Sequence, residues 1–478
     1  MNKYNSAFKA YDIRWIFGQN IDKTLFYNLG RGVGKYILEH FWKDWKFIFG
    51  WDGRLANNDL ISYFLFWMIE GGYSNFVSAW FDPNIQEDSK WYLFGVSSTS
   101  TNYYLNYKEF DLWASFTASH NTAEYAWVKI FDKNSSLLST DLLKSLIDEY
   151  REIDLTDQQI QSVVDLTREN TSKINLSQKI QDRKSTFNST FWTLNSELKV
   201  VVDFSNWAWC AYEKYFLKNI QENSNIEFIF INEDIDSTFS NHESDTSQIY
   251  NYDQLTDAVL KNNADFGVMF DGDVDRIWMV DEKWEFISGD IIIALIINWL
   301  FKDWKEKRWV TVDLMCTKAL FDIAKKAWVS HTESRVWYKF VKQVAIENNS
   351  CLWGEISWHI LFAQNWYFEN PILALYYICK ELDWSNKKIS DLAWDLHPYY
   401  KAPQTKYEVE DGDWVIDKIE ETYSNYDISK LDWIKVSWDN FWFVVRKSNT
   451  EPIIRFCIEA DNQQIRKNEF EKIKNILI

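Results

Sequence analysis

Leu112-Trp113-Ala114-Ser115-Phe116-Thr117-Ala118-Ser119-His120-Asn121 passes from a largely apolar run straight into a hydroxyl, an imidazole and an amide. An apolar run of this length, bounded by polar residues, reads as a buried strand. The polar residues after it therefore fall at a strand end. A serine exposed there is placed for chemistry on its oxygen rather than for packing. The same residues also suit a helix N-cap, where Ser and Asn are favoured. Similar alternation recurs along the chain. Strand patterns at 47–50, 75–79, 199–203, 265–270 and 309–313 are interleaved with helical patterns at 58–71, 211–219, 290–301 and 317–326. That is the signature of βαβ units with mixed or parallel sheets.

The last stretch reads differently. Strand patterns at 436–437, 441–446 and 453–459 lie between helices expected at 413–424 and 463–477, a smaller α+β arrangement. The polar stretch 154–195 reads as largely helical and solvated. A chain of 478 residues is too long for one core and should split into domains of about 100–150 residues. We expect an α/β protein: three similar α/β domains with mixed sheets at 1–154, 155–284 and 285–394, and a C-terminal α+β domain at 395–478.

Composition excludes several classes. A hydrophobic share of 46% with 25% charged residues is that of a soluble globular protein. The most apolar stretch, 291–297, is far short of the roughly 20 residues of a spanning helix. Residues 1–6 carry no apolar signal segment. Cys210, Cys316, Cys351, Cys379 and Cys457 form no CxxC pair and read as buried thiols in a reducing, cytoplasmic compartment, with no zinc site. A net charge of −19 argues against a nucleic-acid partner, and an anionic ligand would need locally gathered Arg and Lys.

The chain holds 28 Trp and only 14 Gly, where about 7% Gly is typical. Trp284 stands between two strand patterns, and Trp207 and Trp209 follow the strand at 199–203. A tight turn with positive φ suits Gly and makes a bulky residue an outlier. Few Pro and many Asn, Ile, Lys, Phe and Tyr fit an AT-rich gene. We read many of these Trp as glycines whose codon, a reassigned stop, was translated with the wrong table.

Three further clusters carry chemistry. In Asp271-Gly272-Asp273-Val274-Asp275-Arg276, three carboxylates at alternate positions follow a strand, with Gly272 permitting a sharp turn. Carboxylates this close repel, so a cation is the natural compensation, and an oxygen-only set favours Mg²⁺. An EF-hand fails because Arg276 stands where that loop needs glycine. Arg446-Lys447-Ser448-Asn449-Thr450-Glu451-Pro452 combines guanidinium, hydroxyls and an amide, a set suited to a phosphate dianion or to a plain surface loop. In Gly354-Glu355-Ile356-Ser357-Trp358-His359, a carboxylate and a hydroxyl two residues apart share a face of an extended segment, where they could grip adjacent sugar hydroxyls or act as a cap.

In these four places the chain resembles the α-D-phosphohexomutases. Ser119 and its flanks resemble the family's TASHNP phosphoserine loop, Asp271 to Arg276 its DGDxDR metal loop, Glu355 to His359 its GExSGH sugar loop, and Arg446 to Pro452 its phosphate-binding loop. Lesser matches are Tyr11 to Arg14, Gly50 to Arg54, Val128-Lys129 and Phe239 to His242. The family has Gly where this chain has Trp15, Trp127, Trp207, Trp209, Trp284, Trp337 and Trp358, whereas Trp442 lies between Phe441 and Phe443 in a strand pattern and reads as a true Trp. Thr122, Ala126 and Tyr338 also depart from the family pattern without removing a reacting group.

The resemblance implies a mutase interconverting hexose 6-phosphate and hexose 1-phosphate, of mannose and/or glucose, in the phosphomannomutase/phosphoglucomutase manner. Ser119 would carry phosphate, and Ser119, Asp271, Asp273 and Asp275 would hold Mg²⁺. A hexose 1,6-bisphosphate would be intermediate and activator. Arg14, His120, Lys129 and Arg276 would serve proton transfer and electrostatic support. Glu355, Ser357 and His359 would bind the sugar, and Arg446, Ser448, Asn449 and Thr450 the idle phosphate, with the four domains arranged around a central cleft that the last domain moves to open and close. The partners implied are small sugar phosphates, with no membrane or nucleic acid, and the protein would be a monomer or homodimer. Phosphoglucosamine mutase is the alternative within the family. A Mg²⁺ phosphatase that discharges Ser119 with water, or an inactive sugar-phosphate binder if the Trp are real, are alternatives outside it.

Overall fold

The computed structural model describes residues 3–9, 12–40, 46–70, 73–74, 76–78, 97–106, 110–133, 136–172, 194–206, 211–236, 239–243, 249–302, 308–447 and 453–477. These form two compact units, Met1–Ile277 and Trp278–Ile478.

The first unit begins with strands β1 (Ile13–Ile16), β2 (Phe47–Trp51), β3 (Phe76–Ser78), β4 (Leu112–Phe116) and β5 (Tyr125–Asp132), ordered β1-β5-β4-β2-β3. β2 runs parallel to β3 and β4, while β5 is antiparallel to β4 and β1, so the sheet is mixed. All five residues of β2 and of β4 are buried, as expected of strands covered on both faces. Helices Lys23–His40 and Leu55–Glu70 pack so closely that a Cβ on Gly30 would lie 2.0 Å from the Phe64 carbonyl oxygen. The second helix starts three residues before the expected position 58.

Further along, β6 (Leu198–Asp203) lies parallel to both β7 (Ile226–Ile231) and β8 (Phe266–Phe270), with helices Ala211–Glu222 and Asp253–Asn262 between them. The stretch at 154–195 is helical over Asp157–Ser172. Residues 173–193 of that stretch lie outside the described residues.

The second unit opens at the second residue of β9 (Ile277–Asp281), which forms an antiparallel hairpin with β10 (Phe286–Ile287). Next come β11 (Val310–Asp313), β12 (His331–Ser334), β13 (Leu352–Gly354), β14 (Ile360–Phe362) and β15 (Phe368–Glu369), ordered β12-β11-β13-β14-β15. Three parallel strands continued by two antiparallel ones repeat the plan of the first sheet. Finally, β16 (Tyr400–Lys401), β17 (Thr405–Glu408), β18 (Asp427–Ser429), β19 (Ile434–Trp438), β20 (Phe441–Lys447) and β21 (Ile453–Ala460) form an entirely antiparallel sheet. Helices Gly412–Thr422 and Gln463–Leu477 give it a core of its own, centred on Val436, Phe443, Ile454 and Phe456. Two mixed sheets and the parallel set β6–β8, against one entirely antiparallel sheet at the C-terminal end, give the expected contrast between α/β and α+β parts.

Backbone geometry bears on the Trp-rich composition. Among the described residues, Trp284, Trp328, Trp337, Trp358, Trp366 and Trp433 have positive φ, whereas only Gly18 and Gly53 do so among the glycines. Of the seven positions singled out above, 284, 337 and 358 fall in this set. Trp15 and Trp127 lie in the paired strands β1 and β5, and 207 and 209 lie outside the described residues. No described helix is long and apolar enough to cross a membrane.

Candidate active site

In the first unit, three loops leave the C-terminal ends of parallel strands: 52–54 after β2, 117–124 after β4 and 271–276 after β8. Ligand sites in open α/β sheets form at such strand ends. Ser119 sits in the second loop, and no helix begins there, so the helix-cap alternative does not hold. Its side chain is also fully buried rather than exposed, which corrects the sequence expectation. The reason is the neighbouring loop: Ser119 Oγ lies 3.0 Å from Asp271 Oδ2 and 3.3 Å from His120 Nδ1. Arg276 Nη1 lies 3.0 Å from the same His120 nitrogen. A guanidinium can only donate, so Nδ1 accepts and the neutral ring carries its proton on Nε2.

The third loop brings Asp271, Asp273 and Asp275 together, with one oxygen of each within 4.8 Å of the others. All three are essentially inaccessible to solvent. Asp271 Oδ1 accepts the backbone N–H groups of Asp275 (3.1 Å) and Arg276 (3.2 Å), which curls the loop around it. The sharp conformation falls on Val274, at φ 56°, rather than on Gly272 as expected. Thr99, at the start of helix Thr99–Asn106, anchors the loop by donating its N–H to the Asp273 carbonyl (2.7 Å) and its hydroxyl to Asp273 Oδ2 (2.8 Å). Lys129, on β5, stands 3.5 Å from Asp275 and 3.8 Å from Asp273, and Arg276 Nε stands 3.7 Å from Asp271 and 3.6 Å from Asp275.

Burial, reinforced by the charges of Asp275 and Asp273, pushes the Asp271 carboxyl well up. Burial and Asp275 push Asp273 up to about 6, against the opposing pull of Lys129. Asp273 Oδ1 is buried without a hydrogen-bond partner among the described residues. An oxygen-only set with raised pKa values and an unsatisfied buried oxygen fits a small hard divalent cation.

Arg14 lies on β1, beside β5, with its Nε 3.5 Å from Asp12 Oδ1. Sequence reasoning gave no role to Asp52, Arg54, Thr99 or Thr117. The Gly50 to Arg54 match was the signal that could have found the first two.

The second unit holds the remaining predicted residues. Glu355 and His359 bracket a tight turn, with Glu355 N–H donating to the His359 carbonyl (2.9 Å) and Trp358 N–H to that of Glu355 (3.0 Å). Ser357 Oγ donates to Glu355 Oε2 (3.3 Å), so carboxylate and hydroxyl do meet, but across a turn rather than along the extended segment expected, because the Trp358 N–H folds back on the Glu355 carbonyl. Glu355 Oε1 accepts the backbone N–H of residue 337 (3.0 Å), and His359 Nδ1 lies 3.6 Å from Glu369. Arg446, near the end of β20, pairs with Asp432 at 3.2 Å. Ser448, Asn449 and Thr450 lie outside the described residues, as does Tyr11.

Comparison with known proteins bears on the whole chain. Family models for phosphoglucomutase/phosphomannomutase α/β/α domains I, II and III match residues 5–157, 180–284 and 288–400. A phosphomannomutase of Methanocaldococcus jannaschii is 32% identical over 471 residues, 98% of this chain and 97% of that protein. A phosphoglucosamine mutase of Caldicellulosiruptor bescii is 27% identical over 97% of each chain. Among solved structures, a phosphoglucomutase/phosphomannomutase family protein of Burkholderia thailandensis shares the fold with a TM-score of 0.77 at 19% identity, over 99% of this chain and 97% of its own. With this extent of agreement, the chain belongs to the phosphoglucomutase/phosphomannomutase family.

Proposed function

We propose that this protein is a hexose-phosphate mutase that moves a phosphoryl group between the C6 and C1 oxygens of a hexose, of mannose and/or glucose, through a phosphoserine at Ser119. The observation that carries this reading is the approach of Ser119 Oγ to Asp271 Oδ2 inside a buried cluster of three carboxylates. Asp271, Asp273 and Asp275, with an oxygen of the phosphorylated Ser119, would hold Mg²⁺, which when bound neutralises charge on the transferred phosphoryl group.

The chain's own groups supply the rest. Ser119 holds the phosphoryl in the resting state. A sugar hydroxyl oxygen bonds to phosphorus as the P–Oγ bond breaks, giving a hexose 1,6-bisphosphate, and the hydroxyl proton passes to a nearby base. After the bisphosphate turns round, its other phosphate returns to Oγ. In the dephosphorylated enzyme the Ser119 hydroxyl donates to Asp271 Oδ2, the acceptor within reach of its proton, while His120 Nδ1, already engaged by Arg276, lies 3.3 Å from Oγ. Arg276, held to His120, adds positive charge beside the reacting oxygen, and Lys129 adds it beside Asp273 and Asp275. Arg14 is a further electrostatic support. Glu355, Ser357 and His359 would hold ring hydroxyls, and the 446–450 segment the idle phosphate.

A four-domain partition at 154, 284 and 394 goes with this reading, supported by the spans of the three family models and by the separate antiparallel sheet at the C-terminal end. So does a cytoplasmic location, supported by Cys316, Cys351, Cys379 and Cys457, which are buried and form no disulfide, Cys210 lying outside the described residues. Small sugar phosphates would be the partners of a monomer or homodimer. Purified protein incubated with mannose, glucose or glucosamine 6-phosphate, Mg²⁺ and a hexose 1,6-bisphosphate primer should form the 1-phosphate of mannose or glucose and carry phosphate on Ser119. Preference for glucosamine phosphate would reassign the substrate, and steady release of inorganic phosphate would sink the mutase.

A further inference from the structure

Beneath the Ser119 loop lie Asp52 and Arg54, each no more than 1% exposed. Asp52 Oδ2 accepts three hydrogen bonds, from Thr117 Oγ1 (2.7 Å), the Ala118 N–H (3.1 Å) and Arg54 Nε (2.9 Å). Thr117 Oγ1 in turn accepts the Ser119 N–H at 2.8 Å. Arg54 grips the far side of the loop: Nη2 donates to the carbonyls of Ser119 (2.9 Å) and Asn121 (2.8 Å), and Nη1 to that of Thr122 (2.6 Å). Asn57 Nδ2 ties Asp52 Oδ1 (3.1 Å) to the Phe116 carbonyl (3.1 Å) at the end of β4.

Ser119 needs this grip. Its φ of 49° is left-handed, a conformation that residues other than Gly rarely adopt and that persists only where the surroundings over-determine it. We propose that Asp52 and Arg54 are positioning residues for phosphoryl transfer: a buried ion-paired clamp that fixes the backbone on both sides of Ser119 and so aims Oγ at the phosphoryl group. The proposal rests on the reading of Ser119 as the phosphate carrier. A planar fork serves three diverging carbonyls and a carboxylate at once, which a lysine ammonium cannot do.

The test compares wild type with Arg54→Lys, Arg54→Met and Thr117→Val, measuring kcat, KM for hexose 6-phosphate, phosphate on Ser119 after priming, and folding by circular dichroism. Misaiming a reacting atom costs on the order of 10²-fold in rate. Arg54→Lys should lower kcat by about that factor with KM changed less than about twofold, Arg54→Met should lower it further, and Thr117→Val should cost roughly tenfold. A folded Arg54→Lys with wild-type kcat overturns the clamp, as does a fall in kcat/KM that lies entirely in KM. If the Arg54 variants do not fold, Thr117→Val decides alone, with reduced kcat supporting the clamp and unchanged kcat overturning it. A wild type that takes no phosphate on Ser119 overturns the mutase reading and the clamp with it, a result distinct from an active wild type whose variants keep kcat.

An independent observation concerns the six tryptophans with positive φ. Trp328 follows helix Ala319–Lys326 at φ 58° and is 95% exposed. Its N–H bonds to the Lys325 carbonyl (3.1 Å) and the Val329 N–H to that of Ala324 (2.8 Å), a Schellman motif whose left-handed position belongs to Gly. Trp284 occupies the left-handed position of the β9–β10 turn. Trp337 adopts φ 116°, ψ 123°, and the buried indole Nε1 of Trp358 (φ 68°) has no hydrogen-bond partner among the described residues. Trp442, in contrast, is extended in β20 and donates Nε1 to Glu459 at 2.8 Å.

We infer that positions 284, 328, 337, 358, 366 and 433 carry glycine in the protein made by its own cell, and that 442 carries tryptophan. Peptide mass mapping of protein isolated from the source cells should give a glycine residue mass at 328 and 358 and a tryptophan mass at 442. A tryptophan mass at 328 or 358 overturns the inference.

Discussion

Two buried acidic clusters, one in each unit, show opposite electrostatics. Around Ser119, Asp271, Asp273 and Asp275 stand at ion-pair distance from Lys129 and Arg276, yet Asp271 and Asp273 are pushed up. In the second unit, Asp290 is equally buried but accepts from Lys401 Nζ and from the Thr317 N–H at 3.0 Å. Glu459 accepts from the Lys318 N–H (3.0 Å), Trp442 Nε1 (2.8 Å) and His397 Nε2 (3.2 Å). Burial works to raise both, yet Lys401 beside Asp290, and His397 and Lys401 beside Glu459, hold these carboxyls below their usual range. A cluster neutralised within the chain is structural, whereas one left short of positive charge is a site waiting for a cation.

The largest expected effect falls on the first cluster. Asp271→Asn should cut turnover by about 10³-fold or more, a loss of roughly 4 kcal/mol of transition-state stabilisation, in a coupled assay of hexose 6-phosphate formation. Lys401→Met should leave Asp290 buried and unpaired, lowering stability by about 3–5 kcal/mol in denaturant unfolding. Equal stability of Lys401→Met and wild type would break the contrast.

Asp313 tests an intermediate case. Its carboxylate is held by the N–H groups of Met315 (2.7 Å) and Ile356 (2.9 Å) rather than by a cation, and burial pushes it up to about 6. With the folded pKa above the unfolded value, its stabilisation is complete below about pH 4 and is lost as pH rises through 6. The difference between wild type and Asp313→Asn should therefore shift by up to about 3 kcal/mol over that window, measured by unfolding at each pH. Smallest of all, Asp273→Asn should stabilise metal-free protein by about 1–2 kcal/mol at pH 8. Mg²⁺ should raise the melting temperature of wild type and leave that of the variant nearly unchanged. A destabilised Asp273→Asn would mean that the first cluster is balanced like the second.

Much of this was legible along the chain because strands and their terminal loops are local. Apolar runs marked β4 and β8, and the polar residues that follow them supplied Ser119 and the three aspartates. Local pattern was less reliable for conformation: Gly272 was the natural choice for the turn, but Val274 is the left-handed residue, held by the Ser100 hydroxyl on its carbonyl and its own N–H on the Asp271 carbonyl. Likewise, Ser119 at a strand end reads as exposed until the 271–276 loop is laid against it.

By itself, then, the sequence determined the alternation of elements, the identities of the chemical groups and the misfit of tryptophan in glycine-like turns, because each is a property of a few neighbouring residues. Only the tertiary structure decided that Asp52 and Arg54 grip the Ser119 loop. Pairing of β2 with β4 brings residues more than 60 positions apart into hydrogen-bonding distance, a relation no local periodicity carries. It also separated the two acidic clusters, since the charge state of a buried carboxylate depends on which distant cation the fold delivers to it.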